Sequence, residues 1–252
     1  MTLLELRNIR KAFGNVLALD QVNLNLERGE VLGIVGPNGS GKTTLLNVVS
    51  GYYKLTKGEI YYKDRIISGM RTDKIARLGI VRTFQSNLVY QGLTVFEHML
   101  GASCLMTQAN LWQGFFNTRP YVANIEKITE RAMGIINDFG LAAYSDKMAA
   151  GLPHGTQRVL GIAMAMAAKP ELLLLDEPLA GMDAGETENL SDNIRKIIKM
   201  GVTVMMVEHN IKTVIQLCPR VVVLDFGLKI ADGKPEEVLN SKEVVEAYLG
   251  VD

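Results

Sequence analysis

The sequence predicts an α/β protein with a mostly parallel sheet, an antiparallel β subdomain near the N-terminus and an inserted helical lobe. Two observations predict the parallel sheet. Continuous apolar runs, which suit strands covered on both faces, recur as VLGIV, LLLLD, VTVMMVE and RVVVLD. Helical patterns such as TTLLNVVSG and TQRVLGIAMAMAAK lie between these runs. Alternation of strands and helices is typical of parallel sheets.

The antiparallel subdomain is predicted from a different pattern near the start of the chain. In VNLNLE, residues 22–27, apolar and polar residues alternate, as expected for a strand with one buried face. The segments TLLELRNI and GEIYYKD have strand character and lie close to it in the sequence. We therefore expect these three segments to pair as a small antiparallel sheet.

The helical lobe is predicted for residues 86–150, between two strands of the core. This stretch contains helical patterns such as ANIEKITERAMGIINDF, an irregular patch, QANLWQGFFNTRPY, and no strong strand. Residues 1–85 and 151–252 then form the core, and the whole chain forms one domain.

Composition excludes several classes of function. Lys and Arg number 27, as do Asp and Glu, so the net charge is zero and a duplex-binding surface is not expected. The N-terminus has no signal-peptide pattern, and no run of 18 apolar residues occurs, so direct insertion into a membrane is not expected. Cys104 and Cys218 lack metal-ligand spacing, and we expect two reduced thiols.

A phosphate-binding loop is predicted from GPNGSGKT, Gly36–Thr43, which fits the P-loop pattern. Its glycines let successive N–H groups point at one anion, and the helix that follows directs its positive end at the same phosphates. Lys42 is expected to reach the β- and γ-phosphates, and the Thr43 hydroxyl to ligate Mg²⁺. A chance glycine-rich turn is the alternative, but the flanking strand and helix patterns favour the core of a P-loop NTPase.

Acidic and polar residues follow three other predicted strands. Asp176 and Glu177 end LLLLDE, and they suit a Mg²⁺ ligand and a base that polarises the attacking water. His209 follows VTVMMVE, and Gln85 follows LGIVRTF. Each has an ordinary alternative, since the acids could mark a solvated loop and the histidine could be structural. Their order along the chain favours one site.

That order, with AGMD after LLLLDE, resembles the ATPase domain of ABC transporters across essentially the whole chain. The resemblance implies that Gln85 is the Q-loop residue, joining the metal site to the transmembrane partner. It implies that Asp183 is the acid of the D-loop and that His209 is the switch histidine, which contacts the γ-phosphate. Phe13 matches the aromatic residue that stacks on adenine, although a small core aromatic is the alternative.

The signature turn departs from the family pattern. Where the family usually has LSGGQ, this chain has LPHGT, Leu152–Thr156. Gly155 is kept, but Pro153 replaces the serine and removes a backbone N–H. Because the family uses this turn for the nucleotide of the opposite subunit, our hypothesis is a pair of unequal ATP sites, favouring a heterodimer.

Within the family, the chain resembles the ATPases of branched-chain (hydrophobic) amino-acid importers. The resemblance rests on GIVRTFQ, LWQGFFNTRP, LPHG, LLLLDEPLAGMD, VEHNIKTVIQLCPRVVVLDFG and EAYLG. Alternatives are ABC systems for lipopolysaccharide export or for urea or amide uptake, and a soluble ABC ATPase outside transport. A P-loop kinase and a non-catalytic binder are rivals from other classes.

The resemblance implies ATP and Mg²⁺ as cofactors, transmembrane permeases and a second ATPase subunit as partners, and peripheral attachment to the cytoplasmic face of the inner (plasma) membrane. Residues 86–92 are the candidate docking surface. Nucleotide-binding candidates are Phe13, Gly36, Pro37, Asn38, Gly39, Ser40, Gly41, Lys42, Thr43, Thr44, Gly155 and Asp183. Catalytic candidates are Glu177, His209 and Gln85, and metal candidates are Thr43, Gln85 and Asp176.

Overall fold

The structure, a computed structural model, describes residues 1–83, 89–104 and 119–249. The chain divides into two compact units. The first unit comprises Met1–Arg82, Glu171–Ala180 and Ile194–Asp252, and the second comprises Thr83–Pro170 and Gly181–Asn193. Within the described ranges, no helix has both the length and the apolarity that a membrane crossing requires.

The elements are numbered in chain order. The strands are β1 (Thr2–Phe13), β2 (Val16–Glu27), β3 (Val31–Val35), β4 (Lys57–Tyr62), β5 (Arg65–Ile66), β6 (Ile80–Arg82), β7 (Leu172–Asp176), β8 (Thr203–Val207), β9 (Arg220–Asp225) and β10 (Leu228–Gly233). The helices are α1 (Lys42–Val49), α2 (Thr72–Arg77), α3 (Val95–Cys104), α4 (Arg119–Asp138), α5 (His154–Ala167), α6 (Ala184–Lys199), α7 (Ile211–Leu217), α8 (Pro235–Val238) and α9 (Lys242–Leu249).

The main sheet of the first unit confirms the predicted parallel core. Among the described residues its strand order is β10-β9-β3-β8-β7-β6, and the pairings from β9 to β6 are all parallel. Strand β10 adds an antiparallel edge. Every residue of β3, β7 and β8 is buried, which explains why these strands read as unbroken apolar runs. The carboxyl ends of these three strands lie side by side at one edge of the sheet.

The second sheet of the first unit confirms the predicted antiparallel subdomain. Its order within the described residues is β2-β1-β4-β5. Residues 22, 24 and 26 of β2 are buried while 23 and 25 are exposed, so the alternation in VNLNLE corresponds to one buried face.

The second unit contains the helices α3, α4 and α5, which pack on one another. An isolated bridge between Thr94 and Met148 fixes the start of α3 against the segment that leads to α5. Helix α4 contains most of the predicted helical pattern ANIEKITERAMGIINDF. The predicted boundaries of the lobe, 86 and 150, stay a prediction, and residues 108–118 of the predicted irregular patch lie outside the described residues.

Candidate nucleotide-binding and hydrolysis site

The predicted phosphate-binding loop connects β3 to α1, which begins at Lys42 as expected. At two positions of this loop only glycine fits, because the main chain of another segment lies too close for a Cβ. Gly36 has φ 145°, and a Cβ there would lie 2.0 Å from the carbonyl oxygen of Leu224. Gly41 has φ 105°, and its Cβ would lie 2.5 Å from the carbonyl oxygen of Ala18. Any side chain at either position would force the loop apart.

Lys42 lies within this loop and is 5% exposed. It donates to the carbonyl oxygens of Gly36 at 2.8 Å and Pro37 at 2.7 Å. Burial lowers the pKa of Lys42, and the nearby carboxylates of Glu177 and Asp176 raise it in part. The Lys42 side chain therefore lies within the loop, where it would favour an anionic ligand.

The remaining loop residues differ in exposure. Ser40 is buried, Pro37, Thr43 and Thr44 are half-buried, and Asn38 and Gly39 are exposed. The Thr43 hydroxyl belongs to the first turn of α1 and thus lies beside the positive end of that helix.

Asp176 ends β7 and is almost fully buried. Its Oδ2 accepts a 2.7 Å hydrogen bond from Arg82, whose side chain also donates at 2.5 Å to Asn47 of α1. Burial raises the pKa of the Asp176 carboxyl, and the hydrogen bond and charge of Arg82 lower it in part. No hydrogen-bond partner reaches Asp176 Oδ1 from the described residues.

Glu177 and His209 meet although they follow different strands. The Nε2 atom of His209 lies 2.6 Å from Oε1 of Glu177. The side chain of His209 is 42% exposed and that of Glu177 is 20% exposed, so the pair is partly open to solvent. Glu177 has φ 48°, an uncommon conformation for a residue with a side chain. The pair forms a polar contact that could hold and orient a water molecule.

Phe13 and Gln85 are the two other predicted site residues in the first part of the chain. Phe13 ends β1 and is 42% exposed, so it is not a core aromatic residue, which was the alternative interpretation. Its ring meets Tyr53 edge-on at a centroid distance of 5.0 Å, and Lys11 Nζ lies 4.4 Å from the ring centroid. Gln85 lies outside the described residues, as do residues 86–88 of the predicted docking surface.

The signature turn and the D-loop acid lie together in the second unit. Helix α5 begins at His154, so Gly155 lies in its first turn and donates its N–H to Glu186 Oε1 at 3.0 Å. Asp183 precedes α6, and its Oδ1 accepts from the Glu186 N–H at 2.8 Å. The Asp183 N–H points back to Glu186 Oε2 at 3.4 Å. One glutamate therefore joins the two turns.

The sequence interpretation missed both Arg82 and Glu186. Arg82 stands in GIVRTFQ at the end of β6, and the available signal was a basic residue at the end of an apolar strand pattern. Glu186 stands three residues after Asp183, the spacing of a capping box at the start of a helix. In both cases the partner could not be named without the fold.

A glycine loop with a buried lysine, and an acidic strand end on the same sheet edge, define the class of P-loop nucleotide-binding proteins. The profile of the family described as ABC transporter matches residues 19–180, and a profile described as branched-chain amino acid ATP-binding cassette transporter matches residues 229–252. This chain belongs to the ABC transporter family as an ATP-binding subunit, and members of this family hydrolyse ATP to power transport.

Relatives and solved structures agree with this assignment. The chain is 36% identical over 249 residues, 98% of either chain, to the high-affinity branched-chain amino acid transport ATP-binding protein LivG of Escherichia coli (strain K12). An ATP-binding cassette of an ABC transporter in its ADP conformation matches with a TM-score of 0.87 and 30% identity, covering 99% of both chains. A dimeric cassette bound to ADP and Pi matches with a TM-score of 0.77 and 26% identity, covering 92% of this chain and 98% of the other.

Proposed function

We propose that this chain is the ATPase of an importer for branched-chain, hydrophobic amino acids. The observation that carries the proposal is similarity over the full length to LivG, whose name gives that class of cargo. The match of residues 229–252 to a profile of the same transporter class supports it independently, because this segment lies beyond the residues that match the general family profile. The cargo itself would bind elsewhere in the transporter.

We propose that Mg²⁺ accompanies the nucleotide. Asp176 Oδ1 is a buried carboxylate oxygen without a hydrogen-bond donor among the described residues, which suits a hard cation or its bound water. Asp176 and the Thr43 hydroxyl would hold the ion, and Gln85 belongs to the same proposed set. When bound, Mg²⁺ would neutralise charge on the β- and γ-phosphates.

The side chains then have separable roles in hydrolysis. Lys42 compensates charge on the phosphates, together with the N–H groups of the loop. Glu177 accepts a proton from the attacking water, and His209, 2.6 Å from Glu177 Oε1, orients that carboxylate and contacts the γ-phosphate. The exposed ring of Phe13 would stack on adenine.

We propose that the working assembly contains two ATPase subunits and transmembrane permeases at the cytoplasmic face of the inner membrane. The dimeric state of a related cassette supports the pairing of two ATPase subunits. Each ATP would lie between one P-loop and the signature turn of the other subunit. The LPHGT turn favours a partner of different sequence, and residues 86–92 would contact the permease, with Tyr90 exposed in the described part of that segment.

The first test replaces Glu177 by Gln. The amide keeps the shape of the side chain but cannot accept the proton, so we expect the rate of ATP hydrolysis to fall by about 100-fold or more while ATP affinity is retained. Phosphate release and calorimetric ATP binding measure the two effects. The control is Glu59→Gln in β4, which should change neither. Full hydrolysis by Glu177→Gln would remove Glu177 from its role.

The second test addresses the cargo. The chain is purified with its permeases and a second ATPase, and placed in lipid vesicles with the matching binding protein. We expect uptake of labelled leucine, isoleucine or valine that depends on ATP. Uptake of urea or amides instead, or no permease partner at all, would contradict the proposed cargo while leaving ATP hydrolysis intact.

A further inference from the structure

Glu208 is a buried acid to which neither the motifs nor the proposed mechanism gives a role. It follows β8 directly, precedes His209 and is 2% exposed. A carboxylate this deeply buried is costly unless strong hydrogen bonds compensate it. Burial raises the pKa of Glu208, and hydrogen bonds from three backbone N–H groups lower it in part.

The three donors come from two different strand ends. Oε1 of Glu208 accepts from the Leu179 N–H at 2.9 Å, in the segment after β7. Oε2 accepts from the His209 N–H at 3.2 Å, and the Asn210 N–H is the third donor. One side chain therefore ties the segment that carries Glu177 to the segment that carries His209.

The main chain of Glu177 needs this support. Its φ of 48° lies in the left-handed region, which is unfavourable for a residue with a Cβ. The Glu177 N–H donates to the carbonyl oxygen of Val207 at 2.9 Å, and two residues later Leu179 is held by Glu208. The end of β8 thus fixes Glu177 in its uncommon conformation from both sides, which directs the carboxylate at His209.

We propose that Glu208 is a positioning residue that sets the contact between Glu177 and His209 and thereby the rate of hydrolysis. The inference rests on the proposed function, which assigns the base to Glu177. Glu208 touches neither nucleotide nor water in this proposal, and it acts only through the two main-chain segments that it joins.

The test is Glu208→Gln, which keeps the volume but turns an NH₂ group toward a backbone N–H. We expect the turnover number to fall by about tenfold or more, because misplacement of a reacting group by an ångström has effects of this size. The dissociation constant for ATP should stay within about twofold, since the P-loop is untouched. Glu208→Ala, which introduces no donor, should behave in the same way and serves as the second variant if the first does not fold.

Glu171→Gln is the matched control. Glu171 precedes β7 at the opposite end of the strand and pairs with Arg28 and Lys63. Its replacement should leave both turnover and ATP affinity unchanged.

A spectroscopic readout separates positioning from general loosening. The chain has only three histidines, so the imidazole ¹⁵N signals of His209 can be assigned by substitution. We expect these signals to shift in Glu208→Gln in the same direction as in Glu177→Gln. Unchanged signals, or equal losses of turnover and ATP affinity, would overturn the inference. Hydrolysis retained in Glu177→Gln would instead overturn the proposed function, so the two failures are distinguishable.

Discussion

The P-loop of the first unit and the signature turn of the second unit both place glycine N–H groups at the start of a helix, but they are held in different ways. The P-loop is fixed by main chain, since a Cβ at Gly36 would lie 2.0 Å from a carbonyl oxygen. The signature turn is fixed by a side chain, since Gly155 donates to the carboxylate of Glu186. A rigid main-chain contact tolerates no substitution, whereas a contact with a flexible side chain can adjust. The difference predicts that a Cβ is less well tolerated at Gly36 than at Gly155.

The largest effect that this comparison predicts is loss of ATP binding in Gly36→Ala. The loop must shift away from Leu224, and we expect the dissociation constant for ATP to rise by about 100-fold, equivalent to roughly 2.7 kcal/mol. Calorimetric titration measures the change. The control is Gly201→Ala, whose φ of 81° is also positive but whose Cβ meets nothing within 4 Å. If both variants bound ATP normally, the main-chain account of the P-loop would fail.

An intermediate effect is predicted for Glu186→Ala. Its removal leaves the N–H groups of Gly155 and Asp183 without their carboxylate, which should lower the free energy of unfolding by about 1–2 kcal/mol. Thermal denaturation measures the loss. Glu186→Gln retains one acceptor oxygen and should lose less. Equal stability of the wild type and the alanine variant would show that the glutamate does not hold the turn.

The smallest effect is predicted for Gly155→Ala. The new Cβ would lie 2.7 Å from Oε1, 2.8 Å from Cδ and 2.9 Å from Cγ of Glu186, so the glutamate must move aside and strain its hydrogen bonds. In the same helix, Gly161→Ala meets nothing within 4 Å and should raise the free energy of unfolding by about 0.5–1 kcal/mol. We expect thermal denaturation to show a smaller gain in the free energy of unfolding for Gly155→Ala than for Gly161→Ala. An equal gain would contradict the tight contact with Glu186.

Patterns that depend on neighbours in the chain were enough to predict much of this protein. The P-loop is a local structure, because its glycines, its lysine and the start of α1 lie within eight consecutive positions. The buried strands could be recognised for a similar reason, since a strand covered on both faces must be apolar along its whole length. The same patterns predict the alternation of strands and helices, and therefore a parallel sheet. They also predict that Asp176 and Glu177 lie at the end of a strand.

What only the tertiary structure decided is which side chains meet. Arg82 and Asp176 are 94 positions apart, and Glu177 and His209 are 32 apart, yet each pair is in hydrogen-bond contact. Sequence spacing contains no distance between strands, because the order of strands in a sheet is not their order in the chain. Glu208 shows the same limit: His209 and Asn210 follow it in the chain, but its third donor, the Leu179 N–H, comes within reach only because β7 and β8 lie side by side.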